Sequence, residues 1–328
     1  MAKVNWAIIG IGTAGRKHLA TITSVNKCTL KAICDIDESK LRAPRISGAT
    51  RYLDVDEMLR KESLDVVSIC TPHDTHYPIA SSVLKHGIDV LIEKPPTMTT
   101  SDGRKLVSIA ARNEAKAYVA AQYRYSPIIR RLKALTESRR LGTPVVCRIL
   151  VNWPRSRRYY FSSKWKGRMR REGGLLFNQF FHHIDVLSFV FGIPTRVEGL
   201  KSKVKYRFLE TEDTILTSMA FEGGLVATFS GSVVGSPNPI ECLELVSTSH
   251  YVRAFGTRFS KVEIEPRQAT AVGFRQDLTR NFEEKLYYEM FTNIMDHRNG
   301  QAGFAVTLSD VIPSVGLINR IYKNCAAV

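Results

Sequence analysis

The sequence feature that most constrains the fold is a glycine-rich turn directly after the first apolar run. That run begins at Trp6, and it is followed by Gly10-Ile11-Gly12-Thr13-Ala14-Gly15 and then by a helical pattern, Ala14–Thr23. In a strand–turn–helix unit, such glycines allow a pyrophosphate to approach the backbone, and the helix N-terminus favours its negative charge. The motif predicts a dinucleotide-binding unit; the alternative is a glycine turn without a ligand.

Short apolar runs and amphipathic stretches alternate over the first 121 residues. The predicted strands are Asn5–Ile9, Thr29–Cys34, Asp65–Cys70, Asp89–Ile92 and Ala117–Ala121. The helical patterns between them include Ala14–Thr23, Tyr77–Lys85 and Asp102–Glu114. This alternation is typical of βαβ units with a parallel sheet, and strands that are apolar throughout indicate helices on both faces.

The pattern becomes rich in β-structure near residue 145. The predicted strands there are Val145–Val151, Arg196–Arg207, Asp213–Phe221, Leu225–Gly231, Glu241–Ser247 and Val252–Phe255. Predicted helices lie at Leu175–Phe191, Phe282–Arg298 and Leu308–Lys323. We therefore expect an α/β protein with a Rossmann domain (1–122) and a substrate-binding and oligomerisation domain (123–328). The second domain has an open, mostly antiparallel sheet, and the last helix can pack back on the first domain.

Polar residues follow the carboxyl ends of successive predicted strands, at the edge where open α/β sheets bind ligands. They are Asp35, Thr71-Pro72-His73 and Glu93-Lys94. Asp35 lies 20 residues beyond Gly15, where an acid binds the ribose 2′-hydroxyl of NAD and repels the 2′-phosphate of NADP. Arg16 and Lys17 keep NADP as the less favoured alternative.

Lys94 stands at the end of a predicted buried strand, next to the predicted cofactor site. There it can lose its charge through desolvation or hydrogen-bond a substrate hydroxyl. The alternative is a strand-end lysine that reaches solvent.

Three polar residues recur on the apolar helix predicted at Leu175–Phe191. Asn178, His182 and Asp185 are spaced i, i+4 and i+7 and so are expected on one face. Such a stripe is either a hydrogen-bonded core network or a site. No second histidine or cysteine stands at ligand spacing on that face, so no metal site is predicted. His183 is expected to be structural.

The positive charge of the chain is local. The chain has 47 Lys and Arg against 31 Asp and Glu, a net charge of +16. Residues 124–171 hold 15 basic residues and one acid, a net of +14, which leaves +2 for the remainder. The charge raises acidic small molecules, nucleic acid and anionic lipid as partners, and its position favours a local anionic ligand.

The six cysteines are scattered without a C-x-x-C pair. We expect reduced thiols in a cytoplasmic protein, because the start of the chain lacks the pattern of a secretory signal. No apolar run approaches the ~20 residues that a membrane-spanning helix needs.

Taken in order, these motifs resemble the glucose–fructose oxidoreductase / inositol dehydrogenase / rhizopine-catabolism (Gfo/Idh/MocA) family over nearly the whole chain. The elements that carry the resemblance are the glycine motif with Asp35, Thr71-Pro72 with His76, Glu93-Lys94-Pro95, Tyr123-Arg124-Tyr125-Ser126-Pro127, Gly173-Gly174 with Asn178, His182 and Asp185, and the closing segment Val306–Tyr322.

The resemblance implies hydride transfer between a nicotinamide and a sugar or cyclitol carbon that bears a hydroxyl. It assigns Lys94 to orient the reacting hydroxyl and His182 to act as general base on its proton. Asn178 takes the position of an Asp in many relatives, where an amide holds a hydroxyl but relays no proton. Glu172 and Phe180 are further departures that can reshape the pocket. The cofactor-binding residues implied are Gly10, Gly12, Thr13, Ala14, Gly15, Asp35, Thr71, Pro72, His73, His76, Glu93 and Lys94.

Within the family, the stretch from Ser162 to Gly167 followed by Gly173-Gly174 is most similar to the UDP-N-acetylglucosamine and UDP-N-acetylglucosaminuronate 3-dehydrogenases. A homodimer or homotetramer is expected from family habit, and a free-sugar or cyclitol substrate is the nearest alternative. The residues expected to bind substrate are Arg124, Arg155, Arg157, Tyr159, Trp165, Asn178 and His182.

Residues 155–171, which we call the basic segment, lead directly into the helix that carries His182. Eight Lys and Arg side chains alternate there with aromatic ones, a composition suited to a diphosphate or a uronic acid. The alternatives are a solvated surface, a subunit contact, or a nucleic-acid surface on an NAD-sensing binding protein. The last is disfavoured because a binding protein has no need of Lys94 and His182 together.

Overall fold

The chain forms two units, and the first is discontinuous in sequence. The computed structural model describes residues 3–42, 48–235, 238–267, 273–301 and 303–328. Unit 1 comprises Met1–Gln122 and Glu284–Val315, and unit 2 comprises Tyr123–Glu283 and Gly316–Val328. The chain therefore leaves unit 1 after residue 122. It re-enters unit 1 within a stretch for which the sequence predicts the second domain.

Unit 1 is built on a six-stranded parallel sheet with the order β3-β2-β1-β4-β5-β6. Its strands are β1 (Val4–Ile9), β2 (Cys28–Cys34), β3 (Thr50–Tyr52), β4 (Val66–Ile69), β5 (Asp89–Ile92) and β6 (Ala117–Val119). Its first five helices are α1 (Thr13–Ser24), α2 (Glu38–Arg42), α3 (Val55–Lys61), α4 (His73–Lys85) and α5 (Thr100–Arg112). The order reverses between β1 and β4, and such a reversal opens a ligand crevice at the carboxyl ends of the strands.

Strand β3 and the two shortest helices of this group, α2 and α3, are absent from the sequence-based prediction. They have three, five and seven residues, too few to show a hydrophobic period. Helix α4 begins at His73, four residues before the predicted start, and accommodates Pro78 in its second turn.

Unit 2 is built on a nine-stranded sheet with the order β14-β13-β12-β11-β7-β10-β9-β8-β15. Its strands are β7 (Pro144–Asn152), β8 (Arg196–Ser202), β9 (Thr214–Ala220), β10 (Val226–Ser232), β11 (Ile240–Ser247), β12 (His250–Phe255), β13 (Lys261–Pro266), β14 (Phe274–Asp277) and β15 (Cys325–Ala327). Only the pairs β7–β10 and β8–β15 of these described strands are parallel. The predicted α/β class with a mostly antiparallel second sheet is confirmed.

The remaining helices follow in chain order. A 3-10 turn (Gln122–Tyr125) joins the units in sequence. The helices after it are α6 (Pro127–Glu137), α7 (Arg157–Phe161), α8 (Met169–Glu172), α9 (Leu175–Asn178), α10 (Phe181–Phe191), α11 (Phe282–Arg298) and α12 (Leu308–Asn324). No described helix is long and apolar enough to cross a bilayer.

Helix α11 belongs to unit 1 for nearly all of its length because its apolar face covers the sheet. The ring of Phe291 lies 5.0 Å from that of Trp6 and 5.2 Å from that of His18. Near its C-terminal end, the Arg298 guanidinium lies 2.9 Å from the Asp65 carboxylate. These contacts use residues at both ends of the chain.

The predicted helix Leu175–Phe191 is wrong as one continuous element, because the structure breaks it between α9 and α10. The residue at the break, Phe180, is fully buried and packs 5.6 Å from the Phe229 ring. A Cβ on Gly231 would lie 2.7 Å from the Phe180 ring, so the ring occupies space that this glycine leaves over the sheet. Phe180 therefore fills the core of unit 2.

Strand β8 is shorter than predicted, ending at Ser202 instead of Arg207. The Asp213 carboxylate accepts hydrogen bonds from the backbone N–H groups of Val204, Lys205 and Tyr206 at 2.7–3.0 Å. Three donors that converge on one side chain are unavailable to a neighbouring strand. Because this stretch consists of apolar and basic residues, its sequence does not reveal the turn.

Candidate active site

The glycine turn of unit 1 lies between the end of β1 and the start of α1. A Cβ on Gly10 would lie 2.7 Å from the Cys70 carbonyl oxygen, and one on Gly15 would lie 1.9 Å from the Gly10 carbonyl oxygen. These two glycines are therefore required by packing. A Cβ on Gly12 would meet nothing within 4 Å, so open space lies beside the backbone just before Thr13 and Ala14 open α1. These residues fit a pyrophosphate group.

Asp35 directly follows β2 and is tied to the glycine turn. Its carboxylate accepts from the Ile11 N–H at 2.8 Å and from the Asp37 N–H at 3.0 Å. The Lys40 ammonium is 3.5 Å away. Asp35 thus shapes the turn as well as standing where an NAD ribose is expected.

His76 joins two of the loops at the carboxyl edge of the sheet. Its ring nitrogens lie 2.7 Å from the Pro95 carbonyl oxygen and 2.8 Å from the Thr71 carbonyl oxygen. Burial lowers the pKa of His76, although both carbonyls favour the charged ring. The contacts fix the segment Thr71-Pro72-His73 relative to the loop after β5.

Glu93 holds the backbone of Lys94. One of its oxygens lies 3.1 Å from His18 Nε2, and the other accepts from the Lys94 N–H at 3.1 Å. Burial raises the pKa of Glu93, but His18 and Lys94 together lower it below its ordinary value. The sequence prediction missed His18, whose signal is its place three residues after Gly15 on the inner face of α1.

His182 is held in unit 2 by an aromatic stack. Its ring lies 4.5 Å from the Tyr123 ring at an interplanar angle of 7°, and the residue is 7% exposed. Tyr123 in turn donates its hydroxyl to Glu241 at 2.8 Å. The imidazole of His182 thus lies against a fixed ring and keeps a small solvent-exposed fraction.

Glu241 also binds His183, whose Nε2 lies 2.7 Å from the carboxylate. The Arg258 N–H donates to the same carboxylate at 2.6 Å. Burial raises the pKa of Glu241, but the hydrogen bonds from His183, Arg258 and Tyr123 lower it below its ordinary value. His183 is fully buried, so neighbouring histidines on α10 face different surroundings. Neither Tyr123 nor Glu241 was singled out as a site residue from the sequence.

The hydroxyl of Tyr159 is the centre of a second group of side chains in unit 2. It accepts from Asn178 Nδ2 at 3.2 Å and from Gln179 Nε2 at 2.6 Å. The Arg155 guanidinium lies 4.8 Å from the Tyr159 ring and donates to Gln179 at 2.8 Å. We call this group the Tyr159 cluster; it consists of Arg155, Tyr159, Lys166, Glu172, Asn178 and Gln179.

Lys166 and Glu172 complete the Tyr159 cluster. The Lys166 ammonium lies 3.9 Å from the Tyr159 ring centre. Glu172 is 1% exposed and accepts from Asn178 Nδ2 and from the Gly167 N–H. Burial raises the pKa of Glu172 to about 7, against the lowering effect of these hydrogen bonds and of Lys166. A carboxyl group that titrates near neutrality therefore lies beside Asn178.

The expected common face of Asn178, His182 and Asp185 is interrupted by the break before α10. Asn178 belongs to the Tyr159 cluster, whereas His182 lies against Tyr123. Asp185 accepts from the Arg124 guanidinium at 2.6 and 2.9 Å in a buried pair. Arg124, expected to bind substrate, is thus engaged in the core of unit 2.

The basic segment is partly helical, since it contains α7 and most of α8, and three of the cations expected to act there lie in two different places. Arg155 and Lys166 belong to the Tyr159 cluster. Arg157 instead lies 5.3 Å from the Phe208 ring, and Phe208 stacks on Phe161. Trp165 is half-buried. Among the described residues, no group of three or more His, Cys, Asp or Glu has the arrangement of a metal site.

Comparison with known families decides the class of the chain. Residues 4–121 match the model described as "Oxidoreductase family, NAD-binding Rossmann fold", and residues 129–258 match "GFO/IDH/MocA C-terminal domain". The chain belongs to the GFO/IDH/MocA oxidoreductase family. The expected family, oxidoreductase class and NAD cofactor are confirmed at this level.

Two relatives show the similarity in detail. The D-apiose dehydrogenase of Paraburkholderia graminis is 28% identical over 223 residues, which are 67% of this chain and 58% of that protein. The myo-inositol 2-dehydrogenase of Thermotoga maritima is 22% identical over 56% of this chain and 54% of its own. Both matches span less than two thirds of the relative's length.

A solved structure shares the fold over nearly the whole chain. It is the WlbA dehydrogenase from Bordetella pertussis, crystallised with NADH and UDP-GlcNAcA. Its TM-score is 0.88 at 22% identity, over 98% of this chain and 96% of that one.

Proposed function

We propose that this GFO/IDH/MocA protein is an NAD-dependent dehydrogenase that oxidises a hydroxyl of a nucleotide-linked sugar, with C3 of a UDP-sugar or UDP-uronate as the reacting position. The observation that carries the proposal is the Tyr159 cluster, in which cations and an aromatic ring adjoin Asn178. The fold shared with an enzyme crystallised with UDP-GlcNAcA supports the same substrate class.

The positive charge of the basic segment supports an anionic substrate. Arg157, Arg158 and Lys164 are exposed, and none forms an ion pair with a carboxylate of the described residues. Guanidinium groups bind phosphate oxygens in bidentate fashion, and aromatic rings stack on a base or a sugar face. The negative charge of a diphosphate would pair with these three cations.

The residue roles follow from chemistry that suits each side chain. We assign His182 as the general base that takes the proton of the reacting hydroxyl, because imidazole titrates near operating pH. Lys94 hydrogen-bonds and orients that hydroxyl, and Asn178 holds a hydroxyl through its amide. The glycine turn and Asp35 would hold NAD, which would supply the hydride acceptor for the carbinol carbon.

Substitution of the two central residues tests these roles. His182→Ala and Lys94→Ala are each expected to lower turnover by about 100-fold, as loss of positioned acid–base groups does. The double variant should lose less than the product of the two single losses, because residues that act on one hydroxyl are not additive. Full activity in both single variants, with a verified substrate, would refute the assignment.

A panel of substrates tests the substrate class. UDP-sugars and UDP-uronates are compared with free hexoses, apiose and inositols, and the product NADH is followed by its absorbance. We expect kcat/KM to be highest for a UDP-sugar. The second candidate, a free-sugar or cyclitol dehydrogenase, is favoured by the similarity to D-apiose dehydrogenase, and preference for an uncharged substrate would select it.

A triple substitution tests the cations themselves. Neutralising Arg155, Arg157 and Arg158 is expected to raise KM for a UDP-sugar more than it lowers the free energy of unfolding. An unchanged KM would show that the basic segment does not bind the substrate and is a solvated surface. Nucleic-acid affinity that falls steeply with salt, without any sugar-dependent reduction of NAD, would favour the binding-protein alternative. The homodimer or homotetramer stays a prediction that light scattering would test.

A further inference from the structure

Glu172 is a buried carboxylate beside Asn178 that the proposed roles leave unused. It ends α8 and precedes the turn Gly173-Gly174, where φ angles of 84° and 99° admit glycine at low cost. This turn brings the end of α8 to the end of α9. One Glu172 oxygen accepts from the Gly167 N–H at 2.5 Å, and the other accepts from Asn178 Nδ2.

These contacts decide which way the Asn178 carboxamide faces. Its nitrogen has two hydrogens, one directed to Glu172 and the other to the Tyr159 hydroxyl at 3.2 Å. The flipped amide would place its oxygen against an ionised carboxylate, which only accepts hydrogen bonds. An ionised Glu172 therefore favours one orientation, with Nδ2 toward Glu172 and Oδ1 on the opposite side of the amide.

We propose that Glu172 is a positioning residue that fixes the Asn178 carboxamide so that its Oδ1 accepts from a hydroxyl of the substrate sugar. The inference rests on the proposed function for the identity of that hydroxyl. The orientation of the amide itself depends only on contacts within unit 2.

The positioning changes with the protonation state of Glu172. A protonated carboxyl gains one donor, and the amide then finds a partner in either orientation. Burial raises the pKa of Glu172 to about 7, and Glu212 raises it further, whereas Asn178, Gly167 and Lys166 lower it. The other titratable groups that face it are Tyr159, Tyr160 and Tyr322. The amide is expected to be locked above neutral pH and released below it.

Nuclear magnetic resonance of the asparagine side chains tests the positioning without any substrate. Full-length protein labelled with 15N-asparagine is titrated from pH 5.5 to 8.5, and the Asn178 amide pair is assigned by its absence in Asn178→Ser. We expect its chemical shifts to change with a midpoint near 7 in the wild type, and this change to be lost in Glu172→Gln.

Glu210→Gln is the matched control, because Glu210 also contacts the basic segment but binds Arg168 and the Met169 N–H on the surface. It is expected to preserve the Asn178 titration. If Glu172→Gln does not fold, Glu172→Asp keeps the charge on a shorter side chain and should move the midpoint. An Asn178 pair that titrates alike in all variants, or in none, would overturn the proposal.

Kinetics test the link to substrate. On the acidic limb of the profile, log kcat/KM of the wild type should rise with a slope approaching two, since Glu172 and the general base must both lose a proton. In Glu172→Gln the slope should approach one, with kcat lowered about 10-fold by loss of positioning, whereas Glu210→Gln keeps the wild-type profile. An unchanged slope in Glu172→Gln contradicts the role in substrate binding. If no sugar is oxidised, the proposed function fails, while the amide titration still decides what Glu172 does to Asn178.

Discussion

Two buried glutamates of unit 2, Glu172 and Glu241, differ in the direction of their pKa shifts although both are withdrawn from water. Glu241 receives hydrogen bonds from a histidine, a tyrosine and a backbone N–H, which lower its pKa despite burial. Glu172 receives them from an amide and a backbone N–H, and its pKa rises to about 7. Burial sets the penalty for a charge, and the number and charge of the donors decide whether the carboxylate stays ionised.

The two glutamates also differ in the role to which each is suited. Glu241 holds Tyr123, the ring on which His182 stacks, and it stays charged over the neutral range. Glu172 holds Asn178 and changes charge within that range. The first glutamate is suited to keep a base in place, and the second is suited to respond to pH.

The largest effect on the free energy of unfolding is expected when Glu241, the glutamate that stays ionised, is replaced. Glu241→Ala leaves His183, Tyr123 and the Arg258 N–H without their acceptor, and we expect a loss of about 3–5 kcal/mol in the free energy of unfolding, measured with urea. The control is Glu244→Ala, because Glu244 is partly exposed and should cost less than about 1 kcal/mol. Equal losses of unfolding free energy in the two variants would contradict the proposed difference between Glu241 and a partly exposed glutamate.

Glu172→Gln is expected to raise the free energy of unfolding near neutral pH, whereas Glu241→Ala lowers it. A carboxyl whose folded pKa is raised binds its proton more tightly when folded, so its stabilisation is present below about 4.5 and is lost as pH rises through about 7. The variant should therefore gain stability relative to wild type between pH 5 and 8, by up to about 3 kcal/mol.

Urea unfolding at several pH values measures this gain. Glu210→Gln should show no such rise over the same range. A difference between Glu172→Gln and wild type that is constant with pH would mean that Glu172 does not titrate there.

Tyr159→Phe sharpens the comparison on the side of Glu172. It removes the acceptor of Asn178 and Gln179 but keeps the ring beside Arg155, and we expect a loss of about 1–2 kcal/mol on urea unfolding. Tyr160→Phe is the matched control, since the buried Tyr160 hydroxyl has no hydrogen-bond partner among the described residues. A larger loss from Tyr160→Phe would contradict the expected hydrogen bonding.

Tyr123→Phe is expected to have the smallest effect. It removes one of three donors to Glu241 and keeps the stack on His182, so the unfolding free energy should fall by about 1 kcal/mol. Tyr123→Leu, which also removes the ring, should lower the turnover of a substrate from the panel further. Equal turnover in both variants would show that the stack does not position His182.

The framework of the fold could be predicted because its signals are local. The glycine turn after β1 and the acid after β2 each occupy a few consecutive residues. The elements that could not be predicted depend on distant partners. The break before α10 follows from Phe180 against Gly231, and the end of β8 follows from Asp213, which binds the backbone of a turn seven to nine residues before it.

The site divides in the same way. Lys94, Asn178 and His182 could be singled out from spacing and resemblance, and their roles stay predictions. Among the groups that hold them, His18 and Glu241 could not be, because His18 lies 75 positions from Glu93 and Glu241 lies 58 positions from His183. Arg124 was expected to face substrate, since nothing in its neighbourhood reveals the ion pair with Asp185.

The discontinuity of unit 1 has a consequence for biosynthesis. Trp6 is translated before β7 to β14, yet the ring of Phe291 that covers it is translated after them. Until then the nascent unit 1 exposes an apolar face that can associate with other chains. Unit 1 therefore stays incomplete until most of unit 2 has been synthesised.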